Sequence, residues 1–156
     1  VPKRVASMGW TINLGRPAGK AIFAGIWVLI AAILLFAFGS GLKGYEVNVT
    51  PDAVVFDAAM YDKTVTRDEV QNVELISGGL PSGVRTNGYG GLEKSFGHFR
   101  LDGYGDCMLY VYNDVPCAVV LTVSDTDGVS YVFVNEETTE KTETLYKTLL
   151  AWQAGE

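Results

Sequence analysis

A single histidine and two cysteines in 156 residues leave this chain little with which to hold a metal ion or attack a substrate. His98 has no second histidine at ligand spacing, and no nucleophile motif surrounds it, so neither a zinc site nor a Ser-His or Cys-His arrangement is expected. It reads as a structural strand residue. Basic residues are scarce as well, 12 against 18 acidic, and the eight from Lys43 onward face all 18 acids. A surface of that sign repels phosphate, which argues against nucleic acid and against anionic headgroups. No acidic residue precedes Glu46, and no charge of either sign lies between Lys20 and Lys43.

That last absence points to what is present. Residues 21–42 read AIFAGIWVLIAAILLFAFGSGL, and about two dozen such residues rise more than 30 Å as a helix, enough to cross hydrocarbon. A transmembrane helix over 20–42 is expected, with Ala21 to Phe38 in the membrane. A cleaved secretory signal is the competing reading. The apolar core is longer than the roughly 7–15 residues of a signal, and the preceding segment is long for its basic leader. Lys3, Arg4, Arg16 and Lys20 precede the span and only Lys43 closely follows it. The positive-inside rule therefore places residues 1–19 in the cytoplasm and the C-terminal domain outside a bacterial cell membrane, crossed once by this chain. Val1 precedes Met8, as expected of a truncated chain or one carrying an added leader, with Met8 the candidate start.

After Gly44 the pattern changes to period two. Strands are expected over 45–50, 53–56, 60–66, 70–76, 96–101, 107–113, 118–124 and 130–134, with turns at Pro51-Asp52, Asp102-Gly103, Asp114-Val115-Pro116 and Asp125 to Gly128. Thr66 is a candidate cap for a short turn through Glu69. Residues 78–95 hold six glycines and a proline and read as a long functional or structural loop. Asn135 ahead of Glu136-Glu137 reads as a helix N-cap, with the helix running 138–153 to Gly155. Leu145, Leu149 and Trp152 form its apolar stripe, flanked by Thr138, Thr142 and Leu150.

The fold class that follows is mostly β with one C-terminal α-helix, an antiparallel barrel or sandwich after a membrane helix. The run Arg85-Thr86-Asn87-Gly88-Tyr89-Gly90-Gly91, then Gly97-His98-Phe99-Arg100-Leu101, the strand Met108-Leu109-Tyr110-Val111 and the pair Val119 to Leu121 with Tyr131 to Val134 resemble a bacterial branch of the pleckstrin-homology family. The resemblance covers residues 44–153 and implies a small barrel closed by the helix. It also implies a headgroup site of clustered Lys and Arg in the first hairpin, but Tyr45 to Phe56 carries Glu46 and Asp52 and no base. Arg85, Lys94 and Arg100 are the remaining basic candidates for a displaced lipid site.

Asn87, Tyr89 and Leu92 complete the candidate contact set, Tyr89 and Leu92 as apolar contacts for a partner protein. The glycines lack both the P-loop spacing and the strand-to-helix context of a dinucleotide fingerprint. Asp125-Thr126-Asp127-Gly128 lacks the downstream ligands of a calcium loop. No catalytic residue, metal or cofactor is assigned, and an enzyme is not expected. A two-residue turn at Asp114-Val115 sets Cys117 opposite Tyr112 and Cys107 opposite Thr122, too far apart along the ladder to bond, so two reduced, buried thiols are expected. The functional expectation is a membrane-tethered module that binds an unidentified protein, self-association included. A lipid or small-ligand sensor, its mouth lined by Tyr45, Tyr61, Tyr89 and Tyr110, is the alternative.

Overall fold

The structure, a computed structural model, describes residues 14–58, 60–125 and 128–155. Lys3, Arg4 and Met8, and Thr126 and Asp127 of the Asp125 to Gly128 turn, lie outside the described residues. The chain divides into two units, Val1–Leu42 and Lys43–Glu156.

The first unit holds α1, Pro17–Lys43. Proline suits the first helical position, where its missing N–H has no intrahelical partner to lose. Phe23 and Trp27, one turn apart, meet edge to face at 6.2 Å. Of this helix, Pro17–Ala37 is long and apolar enough to cross a membrane, and none of its most apolar stretch is buried by the protein itself.

The second unit is mostly β, as the periodicity predicts. β1 (Glu46–Val49), β2 (Ala53–Asp57) and β3 (Lys63–Thr66) form a three-stranded antiparallel meander. Thr50 closes the first turn, its backbone N–H and hydroxyl both donating to Ala53 O. After β3, Thr66 N–H donates to the Glu69 carboxylate at 2.7 Å, fixing a single 3-10 turn, Arg67–Glu69.

Six further strands make the larger sheet: β4 (Val70–Ser77), β5 (Gly83–Gly90), β6 (Lys94–Leu101), β7 (Gly105–Tyr112), β8 (Cys117–Asp125) and β9 (Gly128–Val134), in the order β4-β8-β9-β7-β6-β5. Two expectations are corrected here. The glycine-rich stretch is not one long loop, because β5 runs through it and pairs with β6. β7 and β8 are not a hairpin either. β9 lies between them, antiparallel to β8 and parallel to β7, the one parallel pair among the described strands.

Asn135 gives the physical reason for the second correction. As the residue after β9 it sits between the end of β7 and the start of β8, and its Nδ2 donates to both Tyr112 O and Cys117 O at 3.1 Å. Its Oδ1 accepts from Tyr112 N at 2.6 Å. A buried asparagine thus fills the gap that a hairpin ladder would occupy. Cys117 consequently pairs with Ser77, and Cys107 with Phe99 and Tyr131. Both thiols are free and buried, as expected, and burial raises the Cys107 thiol to about 11.

The six-stranded sheet is not flat. β4 and β5 are its opposite edges, about 24 Å apart in a flat sheet of this width, yet only five residues, 78–82, connect them, a reach of about 21 Å at most. The sheet buries side chains on both faces. One face packs Tyr110, Leu121, Val132 and Val134 against Val54, Phe56 and Val65 of the smaller sheet and against Leu149 and Trp152. The other gathers Leu109, Val111, Val120 and Phe133 under Leu80 and Tyr104. The two sheets do not close into a barrel.

The C-terminal helix is α2, Thr139–Ala154. Its N-cap is Thr138, whose Oγ1 accepts from Lys141 N at 3.3 Å, rather than Asn135. Thr142, Leu149 and Trp152 face the core, Leu145 is half-buried, and Leu150 and Thr138 are exposed. Trp152 Nε1 donates to Thr50 O at 2.7 Å, tying the helix to the first hairpin. Gly155 ends it with φ 81°, the left-handed conformation that glycine reaches without strain.

Candidate interaction surface

The β5–β6 hairpin carries all six residues singled out by the sequence. Its tip is the two-residue turn Leu92-Glu93, closed by Gly91 N–H donating to Lys94 O at 2.8 Å. Leu92 is fully exposed, at 100%. The side chain of Asn113, a residue the sequence marked only as a strand end, holds this tip. Its Nδ2 donates to Gly91 O at 2.9 Å and Leu92 O at 3.2 Å, its Oδ1 accepts from Ser95 Oγ at 2.8 Å, and its backbone N–H donates to Glu93 O. Four bonds to one neighbouring residue make the turn a fixed feature, and the exposed leucine a preorganised one.

Two close approaches shape the strands behind the tip. Gly97, at φ 107°, stands opposite Gly88, and a methyl added at Gly97 would lie 2.7 Å from Gly88 Cα. Tyr61 covers this gap, its hydroxyl donating to Asn87 Oδ1 at 3.2 Å. Tyr89 stacks on Phe96 at 4.9 Å. The ladder slips between Arg85 and Asn87, leaving Thr86 as an extra residue in β5, a bulge that twists the edge strand.

The six residues do not form one site. Cross-strand partners share a face, so Arg85, opposite Phe99, lies on the face of the second core cluster, whereas Lys94 and Arg100 alternate with Ser95 and Phe99 onto the other. Lys94 Nζ sits 4.8 Å over the Tyr112 ring. Arg100 forms a two-pronged pair with Asp106, at 2.7 and 3.0 Å, and this partner holds the Asp106 carboxyl below its usual range. The three bases therefore converge on nothing, and the first hairpin remains without a base.

Two of the four tyrosines, Tyr45 and Tyr110, do not line a mouth. Tyr110 is wholly buried and stacks on Phe56 at 4.8 Å, and its hydroxyl donates to Tyr61 O at 2.6 Å. Tyr45 is buried too, donating to Asn135 O at 2.6 Å. Burial raises both phenols well above the ordinary tyrosine range. What remains open is the outer side of β5. Among the described residues, strand β5 has β6 as its sole neighbour in the sheet, and its side chains are exposed along nearly the whole length. Counting back from the bonded pair Gly91–Lys94, alternation turns the N–H and C=O of Gly90 and Gly88 outward. Val84, Tyr89 and Leu92 supply exposed apolar surface along this edge. The opposite edge is different. β4 packs against α2, and Gln153 Nε2 reaches Val70 O at 3.4 Å.

No group of three or more His, Cys, Asp and Glu fit to hold a metal exists among the described residues. A family model described as a family of unknown function (DUF5808) matches residues 1–20, which lie ahead of the β unit. The chain matches no curated protein and no solved structure.

Proposed function

We propose that this chain is a membrane-tethered binding module whose β5 edge and Leu92 tip receive an extended segment of a partner protein. The observation that carries the reading is the asymmetry of the six-stranded sheet: α2 packs on β4 and Gln153 reaches Val70 O, whereas β5 has nothing on its outer side among the described residues. An open edge offers main-chain bonds to an added strand, and neighbouring apolar side chains supply its specificity. Edge strands without a partner are usually blunted by charge or bulges. Here the bulge at Thr86 and the charge of Arg85 protect the far half of β5, while Gly88 to Leu92 stays uncharged.

The anchor is α1, in a bacterial membrane with the β unit outside the cytoplasm, and it supplies partner proximity through raised local concentration. The reading stands on the open edge. It does not need the pleckstrin-homology resemblance, whose basic hairpin has no counterpart in β1 and β2.

The test is photo-crosslinking of the full chain in its native membrane from a probe at position 86, compared with a probe at position 144 on α2. A discrete adduct from 86 alone, lost in Gly90→Pro and reduced in Leu92→Ser, is the expected result. Gly90→Pro removes an outward N–H, and a side chain there meets only the movable Arg85 guanidinium. Equal capture from both positions overturns the proposal. So does strong binding of the Lys43–Glu156 unit to anionic vesicles that is lost on neutralising Arg85 and Lys94, which establishes the lipid-sensor alternative.

A further inference from the structure

Six asparagines occur in the chain, and Asn87 alone precedes a glycine. Joining the Gly88 nitrogen to the Asn87 side-chain carbonyl closes a five-membered ring, and glycine has no Cβ to crowd that approach. A sheet ordinarily suppresses the reaction, because ladder bonds occupy the N–H and hold the peptide on both sides. That protection is incomplete at Asn87. The N–H of Gly88 points to the open side of β5, where no described strand takes it. Thr86, just ahead, is the extra residue of the bulge, so the ladder is broken on the N-terminal side of Asn87.

The side chain is set for attack as well. Asn87 is exposed, and the Tyr61 hydroxyl donates to its Oδ1 at 3.2 Å. That oxygen is the one that gains negative charge when a nitrogen adds to Cγ, and a donor already in place stabilises it. None of the other described asparagines combines these features. Asn48 and Asn72 precede valine. Asn113 precedes Asp114 and has both amide atoms engaged at the hairpin tip, and Asn135 is buried with its amide bonded to backbone.

We propose that Asn87-Gly88 is a self-modification site, with the Tyr61 hydroxyl supporting the developing oxyanion. The Gly88 nitrogen adds to Asn87 Cγ, the Cγ–Nδ2 bond breaks, and ammonia leaves with the proton that the nitrogen gives up, closing a succinimide. Water then opens the ring. Cleavage of the new bond gives aspartate, and cleavage of the original peptide bond gives isoaspartate. Aspartate sets a charge beside the uncharged stretch from Gly88 to Leu92. Isoaspartate routes the backbone through Cγ, one methylene longer, and shifts Gly88 from its close approach to Gly97. Both products impair β5 as a receiving edge. A strand received there takes up the Gly88 N–H and halts the attack, so modified chains are those whose edge has stood empty. The chemistry itself stands whether or not that reading of the edge holds.

The full chain in detergent micelles is held in mildly alkaline buffer and digested at intervals. Mass spectrometry reads amide-to-acid conversion at each asparagine, and electron-transfer fragmentation separates aspartate from isoaspartate. A parallel sample unfolded in guanidinium chloride gives the unprotected rate. Expected in the folded chain is conversion at Asn87 above about one tenth of its unfolded rate, and about tenfold or more ahead of Asn48, Asn72 and Asn113, with isoaspartate among the products. Asn87→Gln, which needs a six-membered ring, does not convert over the same interval, and Tyr61→Phe converts several-fold more slowly. Circular dichroism confirms that both variants are folded. Conversion at Asn87 only in the unfolded sample, a folded-state rate no higher there than at the other asparagines, aspartate without isoaspartate, or unslowed conversion in Tyr61→Phe overturns the proposal.

Discussion

Replacing Asn135 by leucine removes the polar plug between β7 and β8 while keeping a side chain of similar size. Tyr112 N–H, Tyr112 O and Cys117 O then lose their partners, and Asn135 is 1% exposed, so water does not readily substitute. An unsatisfied buried backbone group costs about 1–3 kcal/mol. With Tyr112 only half-buried, the three together cost about 4 kcal/mol, a large part of the roughly 5–15 kcal/mol that holds a domain of this size. Urea unfolding of the Lys43–Glu156 unit measures this directly, as a midpoint lower by about 2 M for a slope near 2 kcal/mol per molar. Asn135→Asp separates donors from shape. It keeps the acceptor but sets a carboxylate against two carbonyls, so its deficit is largest at neutral pH and shrinks as acid protonates the new group. Tyr45→Phe alone costs about 1 kcal/mol and couples to Asn135→Leu, because the lost hydroxyl bonds the same residue. A loss below about 1 kcal/mol in Asn135→Leu, with the slope unchanged, would refute the plug.

Gly97→Ala lowers stability by about 2–4 kcal/mol, since φ 107° and the 2.7 Å approach to Gly88 leave no room for a methyl, whereas Gly103→Ala, at φ 85° in open space, costs about 1 kcal/mol, both read by the same urea titration. Burial raises the Glu136 carboxyl, opposed by Lys141 and aided by Glu137. Its folded form holds the proton more tightly than its unfolded form, so its contribution falls as pH rises through the carboxylate range. Glu136→Gln is therefore more stable than the parent at pH 7, and thermal melts across pH show the gap closing in acid. Cys107 and Cys117 resist iodoacetamide in the folded protein, and both react once urea unfolds it, as mass spectrometry of the alkylated chain records.

Local signals in the sequence were legible because they depend on few neighbours. Period-two alternation located eight of the nine strands among the described residues, Gly155 and the Leu149-Trp152 face marked α2, and Thr66 marked the short turn. The misplaced elements depend on distant ones. β5 is masked by its own glycines, one of which, Gly88, must meet Gly97 across the ladder, nine residues further along the chain. Asn135 carries every local sign of a helix cap, yet its partners are Tyr45, Tyr112 and Cys117. Nothing short-range distinguishes a cap from a plug, and the insertion of β9 between β7 and β8 is invisible for the same reason.

The candidate surface divides along the same line. Tyr89 and Leu92 were expected as apolar contacts for a partner, and the structure leaves Leu92 wholly exposed. Arg85, Lys94 and Arg100 stood out only by charge and proximity in sequence, and strand parity sends Arg85 to the opposite face. Asn113 was missed, although it fixes the tip more firmly than any residue within the hairpin. Its signal is weak but physical, an amide side chain directly after an aromatic strand end and beside a Pro-containing turn. A mobile loop would lose conformational entropy on meeting a partner. By holding the Gly91 and Leu92 carbonyls, Asn113 has that cost met during folding, which favours association through Leu92 over a purely structural hairpin.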